Sequence, residues 1–67
     1  MNFTLKCEQE VDGRCMAEVP ELPGVLSYGV SSADAMSKAE ILALRVVAER
    51  LENSECEPVS ISFSKRT

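Results

Sequence analysis

The sequence predicts an α+β domain of element order β-β-β-α-β, a small mixed sheet in the order 3-2-1-4 with one helix on one face. Three observations predict it. Two short segments near the amino terminus alternate apolar and polar residues with period two, the mark of half-buried strands. Dense turn chemistry follows between Ala17 and Ala35. A long helical pattern then runs from Ser31 to near Asn53 and gives way to one more alternating segment, Val59, Ile61 and Phe63.

Phe3, Leu5 and Cys7 alternate with Thr4, Lys6 and Glu8, giving a first strand with one buried face. Cys15, Ala17 and Val19 alternate with Met16 and Glu18, giving a second. The loop between them is decided by matching the faces. A two-residue Asp12-Gly13 turn would set Cys7 opposite Glu18 and mismatch the apolar sides. A three-residue loop, Val11-Asp12-Gly13, pairs Glu10 with Arg14, Cys7 with Ala17 and Leu5 with Val19. That loop is a type I turn followed by a residue in the left-handed region, which Gly13 supplies. A slip of one residue would turn a whole face over.

Pro20 cannot donate to a ladder and closes the second strand. Pro23-Gly24 forms a turn, because Pro pre-sets φ and Gly accepts the positive φ that follows. Val25 to Val30 is the third strand, with Leu26, Tyr28 and Val30 expected to face the core and Ser27 and Gly29 behind. Ser31 is the expected N-cap, at capping-box spacing from Asp34, which takes the place of the usual Glu.

On the helix, Asp34, Lys38, Arg45, Glu49 and Glu52 share one face. Ala35, Ala39, Leu42, Ala43, Leu44, Val46, Val47 and Leu51 fill most of the rest. This apolar arc is wider than one sheet requires, so a partner or the last strand must cover part of it. Three meandering strands leave the third parallel to the first. A right-handed crossover through the helix makes the fourth parallel to the third and places it beside the first. The face away from the helix, with Thr4, Lys6, Glu8, Met16, Glu18, Ser60 and Ser62, is then wet or open to a partner.

The chain has 67 residues, which allows a single domain over residues 1–67. A chain of that size buries only about 60% of its unfolded surface. Disulfides, a metal or self-association usually supplement so small a core. The three cysteines are an odd number with no Cys-x-x-Cys spacing, and no histidine completes a zinc site. No signal-peptide pattern opens the chain, and no apolar run approaches a membrane span. A cytosolic, cytoplasmic protein with reduced thiols is expected, stabilised as a homodimer or higher homo-oligomer. A net charge of −4 and a pI near 4.6 argue against direct nucleic-acid binding and suit a basic protein partner.

Glu8, Glu10, Asp12, Glu18 and Glu21 make the amino-terminal half acidic. Paired carboxylates can hold Mg²⁺ for phosphodiester cleavage, but nothing in their spacing fixes such a geometry, and charged strand edges also prevent edge pairing. Cys7 and Cys15 fall on the predicted core face without an activating base, so they are expected as small buried hydrophobes. Cys56, in a polar loop, is the thiol expected to react first. Arg14, Lys65 and Arg66 are too scattered to track a phosphate backbone, and the lone Tyr28 offers no stacking platform. No catalytic residue, metal or cofactor is expected.

Several of these motifs occur together. Asp12-Gly13-Arg14 precedes Ala17-Glu18-Val19-Pro20-Glu21-Leu22-Pro23-Gly24, and Gly29 with Ser31-x-x-Asp34-Ala35 follows. The combination spans nearly the whole chain and resembles the HicB-like antitoxin family. The resemblance implies a truncated ribonuclease-H-like sheet with one helix, in agreement with the order derived above. It also implies a non-enzymatic function. Such domains bind and neutralise a small basic toxin of the HicA type, which resembles a double-stranded-RNA-binding domain and cleaves mRNA with a histidine. Many members add a carboxy-terminal DNA-binding domain; this sequence stops at Thr67. Cys15 stands where an aromatic residue is common, and Val30 where an acidic one is.

The expected partner-binding residues are Glu8, Glu18 and Glu21, to meet a basic surface, and Leu22 and Tyr28, to supply apolar contact. The alternative function is an orphan oligomeric structural or regulatory domain with no toxin partner. A divalent-metal nuclease comes third.

Overall fold

The structure, a computed structural model, describes residues 1–54 and 60–66. Strands β1 (Asn2–Gln9), β2 (Cys15–Glu18) and β3 (Leu26–Gly29) lead into helix α1 (Ser32–Ser54), and β4 (Ser62–Arg66) follows. The sheet order is β3-β2-β1-β4, antiparallel except for the parallel pair β1–β4. The fold class, the strand order and the parallel placement of the last strand are those the sequence predicts.

The hairpin register is also the predicted one, with Cys7 opposite Ala17 and Gln9 opposite Cys15. Glu10 donates its N–H to the Arg14 carbonyl at 2.6 Å, and Gly13 donates to Glu10 at 3.0 Å, with φ of +91° at Gly13. The three-residue loop is therefore closed by a turn whose last residue lies in the left-handed region.

Between β2 and β3 the chain makes two consecutive turns. Leu22 donates to Val19 at 2.9 Å and Val25 donates to Leu22 at 3.0 Å. Pro23 and Gly24, with φ of +91°, form the second, as a type II turn demands. Val19, Leu22 and Val25 all point inward beneath these turns and are buried. They join Phe3, Leu5, Cys7 and Ala17 from the strands and Ala35, Ala39, Ala43 and Val47 from α1 in a single core. The Phe3 and Phe63 rings meet at 5.6 Å between centroids, fastening β4 to β1.

The third strand departs from expectation. Leu26 and Tyr28 are exposed, not buried, and Val30 lies beyond the strand, 88% exposed. Gly29 is the buried residue instead. The reason is the approach of the helix. A Cβ on Gly29 would lie 2.5 Å from the Ala35 nitrogen and 2.6 Å from Asp34 Oδ2. The first turn of α1 rests directly on the β3 backbone, so the inward positions there hold Ser27 and Gly29, and the large side chains point the other way. The column Ala35, Ala39, Ala43 continues this close approach along the helix.

Ser31 caps α1, its Oγ accepting the Asp34 N–H at 3.1 Å, and Ala35 donates to the Ser31 carbonyl at 3.0 Å. The reciprocal half of the box is displaced by one residue: Asp34 Oδ2 accepts the Val30 N–H at 3.1 Å. Lys38 Nζ lies 3.1 Å from the same oxygen. Along α1, Leu44 and Ile41 are exposed, while Met36, Leu42, Val46 and Leu51 are half-buried. Cys7 is buried and Cys15 half-buried. The expectations for Cys56 and Val59 fall outside the described residues.

Candidate partner-binding face

The sheet's second face lies opposite α1. Period-two alternation and the register set its contents row by row. Tyr28, Met16 and Glu8 form one row across β3, β2 and β1, and Leu26, Glu18, Lys6 and Arg66 form the next. Thr4 with Ser64 and Asn2 with Ser62 continue toward the other end. No described element covers these rows.

Met16, Leu26 and Tyr28 thus make an apolar cluster, with Leu26 and Tyr28 each 42% exposed. Glu18 and Glu8 border it. Lys6 Nζ lies 3.7 Å from Glu8 Oε1, an exposed pair whose attraction is heavily screened. At the corner, the Arg14 guanidinium sits 4.8 Å from the Tyr28 ring centroid. Asp12 holds it there, Oδ2 accepting from Arg14 Nε at 2.9 Å and Oδ1 from the Arg14 N–H at 3.1 Å. The Arg14 N–H, followed by its side chain, keeps the Asp12 carboxyl below its ordinary range. Tyr28 is thereby stacked on one side and open on the other.

Glu21 sits at the rim in a specific role. Its Oε1 accepts the Thr4 N–H at 3.0 Å and its Oε2 accepts the Thr4 hydroxyl at 2.8 Å. The backbone N–H of Thr4 comes first among the causes that hold the Glu21 carboxyl below its ordinary range. The charge therefore remains on this side of the sheet.

Of the five residues expected from sequence, the structure brings Glu8, Glu18 and Tyr28 onto one open face, with Glu21 at its rim. Leu22 does not belong with them. It is 2% exposed and plugs the core beneath the Val19–Val25 turns, so it offers no partner contact. Alternation places Met16 on this face without marking it as a contact residue, and Leu26, expected to face the core, joins it here. Met16 alternates outward, and the β2–β3 register places Tyr28 beside Met16 and Leu26 beside Glu18.

The Cys15 thiol is pushed up, first by burial and then by the neighbouring Cys7, the opposite of an activated nucleophile. Among the described residues no three of His, Cys, Asp and Glu converge as metal ligands, and no helix is long and apolar enough to cross a membrane. No family model matches the chain, and neither a characterised protein nor a solved structure matches it.

Proposed function

We propose that this chain is a HicB-like antitoxin module that binds a small basic, HicA-type mRNA-cleaving toxin through the open face of its sheet and inhibits it by occlusion. The observation that carries the reading is the juxtaposition of the Met16–Leu26–Tyr28 cluster with the carboxylates of Glu8 and Glu18 on a face that no described element covers. Desolvated aromatic and aliphatic anchors inside a charged rim are what a protein-binding surface needs. The acidic rim suits a surface built to hold RNA. The motif residues behind the family resemblance shape the scaffold for this face: Pro23-Gly24 and Gly29 turn Leu26 and Tyr28 outward.

Occlusion needs no catalysis by this chain and no conformational signal; inhibition follows the fraction of toxin bound. The test is co-expression with a HicA-type toxin, first the product of any small basic reading frame next to this gene. The wild-type chain should restore growth and co-purify with it, and a chain carrying Tyr28→Ala and Leu26→Ala should do neither while still folded. Growth restored equally by both chains would overturn the assignment of this face.

A second reading, an oligomeric domain without a toxin partner, is favoured by a different observation, the exposed Ile41 and Leu44 on α1. Absence of any binding to the neighbouring product would support it.

A further inference from the structure

One edge of the sheet is β3, and its backbone pattern can be read from the turn that precedes it. Val19 donates to the Val25 carbonyl at 3.0 Å, so this opposed pair is hydrogen-bonded. Antiparallel ladders alternate. Hence Ser27 and Gly29 bond to β2, whereas the N–H and C=O groups of Leu26 and Tyr28 point to the free edge. The contact of Lys38 Nζ with the Tyr28 carbonyl, at 3.5 Å, lies on that edge. From Val25 to Val30 the sequence is Val-Leu-Ser-Tyr-Gly-Val, without a charge or a proline. Natural edges are normally blunted by such residues. Here Lys38 stands at the edge, at long distance and shared with Asp34.

We propose that this edge pairs antiparallel with the same edge of a second copy, Ser27 opposite Ser27 and Leu26 opposite Tyr28, in a two-fold dimer with one continuous sheet. The register follows from parity. Directly opposed residues share a face, so the two-fold axis must pass midway between the two copies of one residue. Centring on Tyr28 would oppose Leu26 to Val30, which has left the strand and donates its N–H to Asp34. Centring on Leu26 would oppose Tyr28 to Gly24, inside the turn. Centring on Ser27 pairs an aliphatic with an aromatic residue twice on the open face and uses every edge-facing group of Leu26 and Tyr28.

A second copy is the occupant these features fit. The chain carries a net charge of −4, which disfavours self-association in general; β3 itself has no charged residue, and the charges flanking it, Lys38 and Arg45, are opposite in sign to that net charge. Beside the edge, Ser27, Ile41 and Leu42 line a shallow groove flanked by Lys38 and Arg45. Ile41 is 50% exposed there, placed to meet its symmetry mate over the seam. The apolar strips of the two open faces become continuous, which enlarges the proposed binding face without covering it. Pairing replaces the long Lys38 contact at the Tyr28 carbonyl, and Lys38 keeps Asp34.

The test uses the wild-type chain and two variants. Sedimentation across increasing concentration should show monomer passing to dimer and stopping there. Amide exchange should show Leu26 and Tyr28 becoming protected only at dimer-forming concentration, with Ser27 and Gly29 protected throughout. Leu26→Pro removes an edge-facing donor and no β2 bond, and should weaken the dimer at least about tenfold. Ile41→Lys leaves every ladder bond in place and should weaken it likewise, which covers the case of a proline variant that does not fold. A wild-type chain monomeric at all concentrations, or a dimer that leaves the Leu26 and Tyr28 amides exchanging freely, overturns the proposal. Toxin binding by a strictly monomeric chain would overturn this seam alone and leave the proposed function intact.

Discussion

Glu21 stands in for a strand residue opposite Thr4. The hairpin bond between Glu10 and Arg14 fixes which β1 groups face β2, and Thr4 N–H is among them. Its opposite position is Pro20, where the chain has already turned away. Glu21 reaches back from the turn, and Oε1 supplies the missing acceptor at 3.0 Å while Oε2 takes the hydroxyl. An acidic residue that looked like part of a charged surface is therefore also the end-stop of the β1–β2 ladder.

This predicts an acid limit on stability. The Glu21 carboxyl is held below its ordinary range, chiefly by the Thr4 N–H, and Asp34 is held down chiefly by Lys38 and then by the Val30 N–H. Groups with depressed folded-state values contribute fully above their unfolded values, near about 4. That contribution is lost as pH falls through the lower folded values. Melting temperature should hold steady at neutral pH and fall below that point. The decline should be shallower in Glu21→Gln, which keeps an acceptor oxygen but no longer titrates. Thermal melts across the acidic range check it.

Gly29 and Gly13 should be intolerant for different reasons. At Gly29→Ala the new methyl meets the Ala35 nitrogen at 2.5 Å. The helix start must lift, at a cost of about 1–3 kcal/mol. Gly13 has open space around it but a φ of +91°. Gly13→Val should cost about 1–2 kcal/mol through backbone strain alone. Urea denaturation should show both losses. Only Gly29→Ala should also disturb the amides of the first helical turn.

Leu22→Ala should act through the core. The side chain is 2% exposed beneath two turns whose backbone it anchors. Truncation of such a residue costs about 2–5 kcal/mol, depending on how far the site collapses. A large fall in the unfolding midpoint is expected, with partner affinity unchanged per folded molecule.

The strand order, the hairpin register and the N-cap were legible because each rests on local chemistry: period-two alternation, a glycine after a type I turn, a serine three residues before an acid. The side assignment of β3 was not. Its four residues, Leu-Ser-Tyr-Gly, invite the reading that the large ones face the core. What reverses them is the nearness of α1, a tertiary fact visible in sequence only as the small residues Gly29, Ala35, Ala39 and Ala43. Leu22 departs from expectation for the converse reason. A leucine between two prolines in a polar turn looks presented to solvent, and only the double turn tucks it under. The open face was half legible: Glu8, Met16 and Glu18 follow from alternation, whereas Leu26 and Tyr28 join them only once the side assignment of β3 and the β2–β3 register are known.

Kinetics should separate the two kinds of residue on that face. Glu8 and Glu18 lie at the rim of the apolar cluster, Glu8 exposed and Glu18 half-buried. Rim charges steer the encounter with a basic partner and contribute little once the complex is formed. Glu8→Lys with Glu18→Lys should lower the association rate about tenfold at low salt, and the gap should close as salt rises. Tyr28 and Leu26 are instead removed from water on binding, so Tyr28→Ala should speed dissociation and leave association nearly unchanged. Arg14→Ala, which frees the stacked side of the Tyr28 ring, should speed dissociation more mildly by loosening the anchor. Surface-immobilised toxin and two salt concentrations suffice for the measurement. An association rate indifferent to both salt and glutamate reversal would remove the acidic rim from the interface. A dissociation rate indifferent to Tyr28→Ala would remove the apolar cluster.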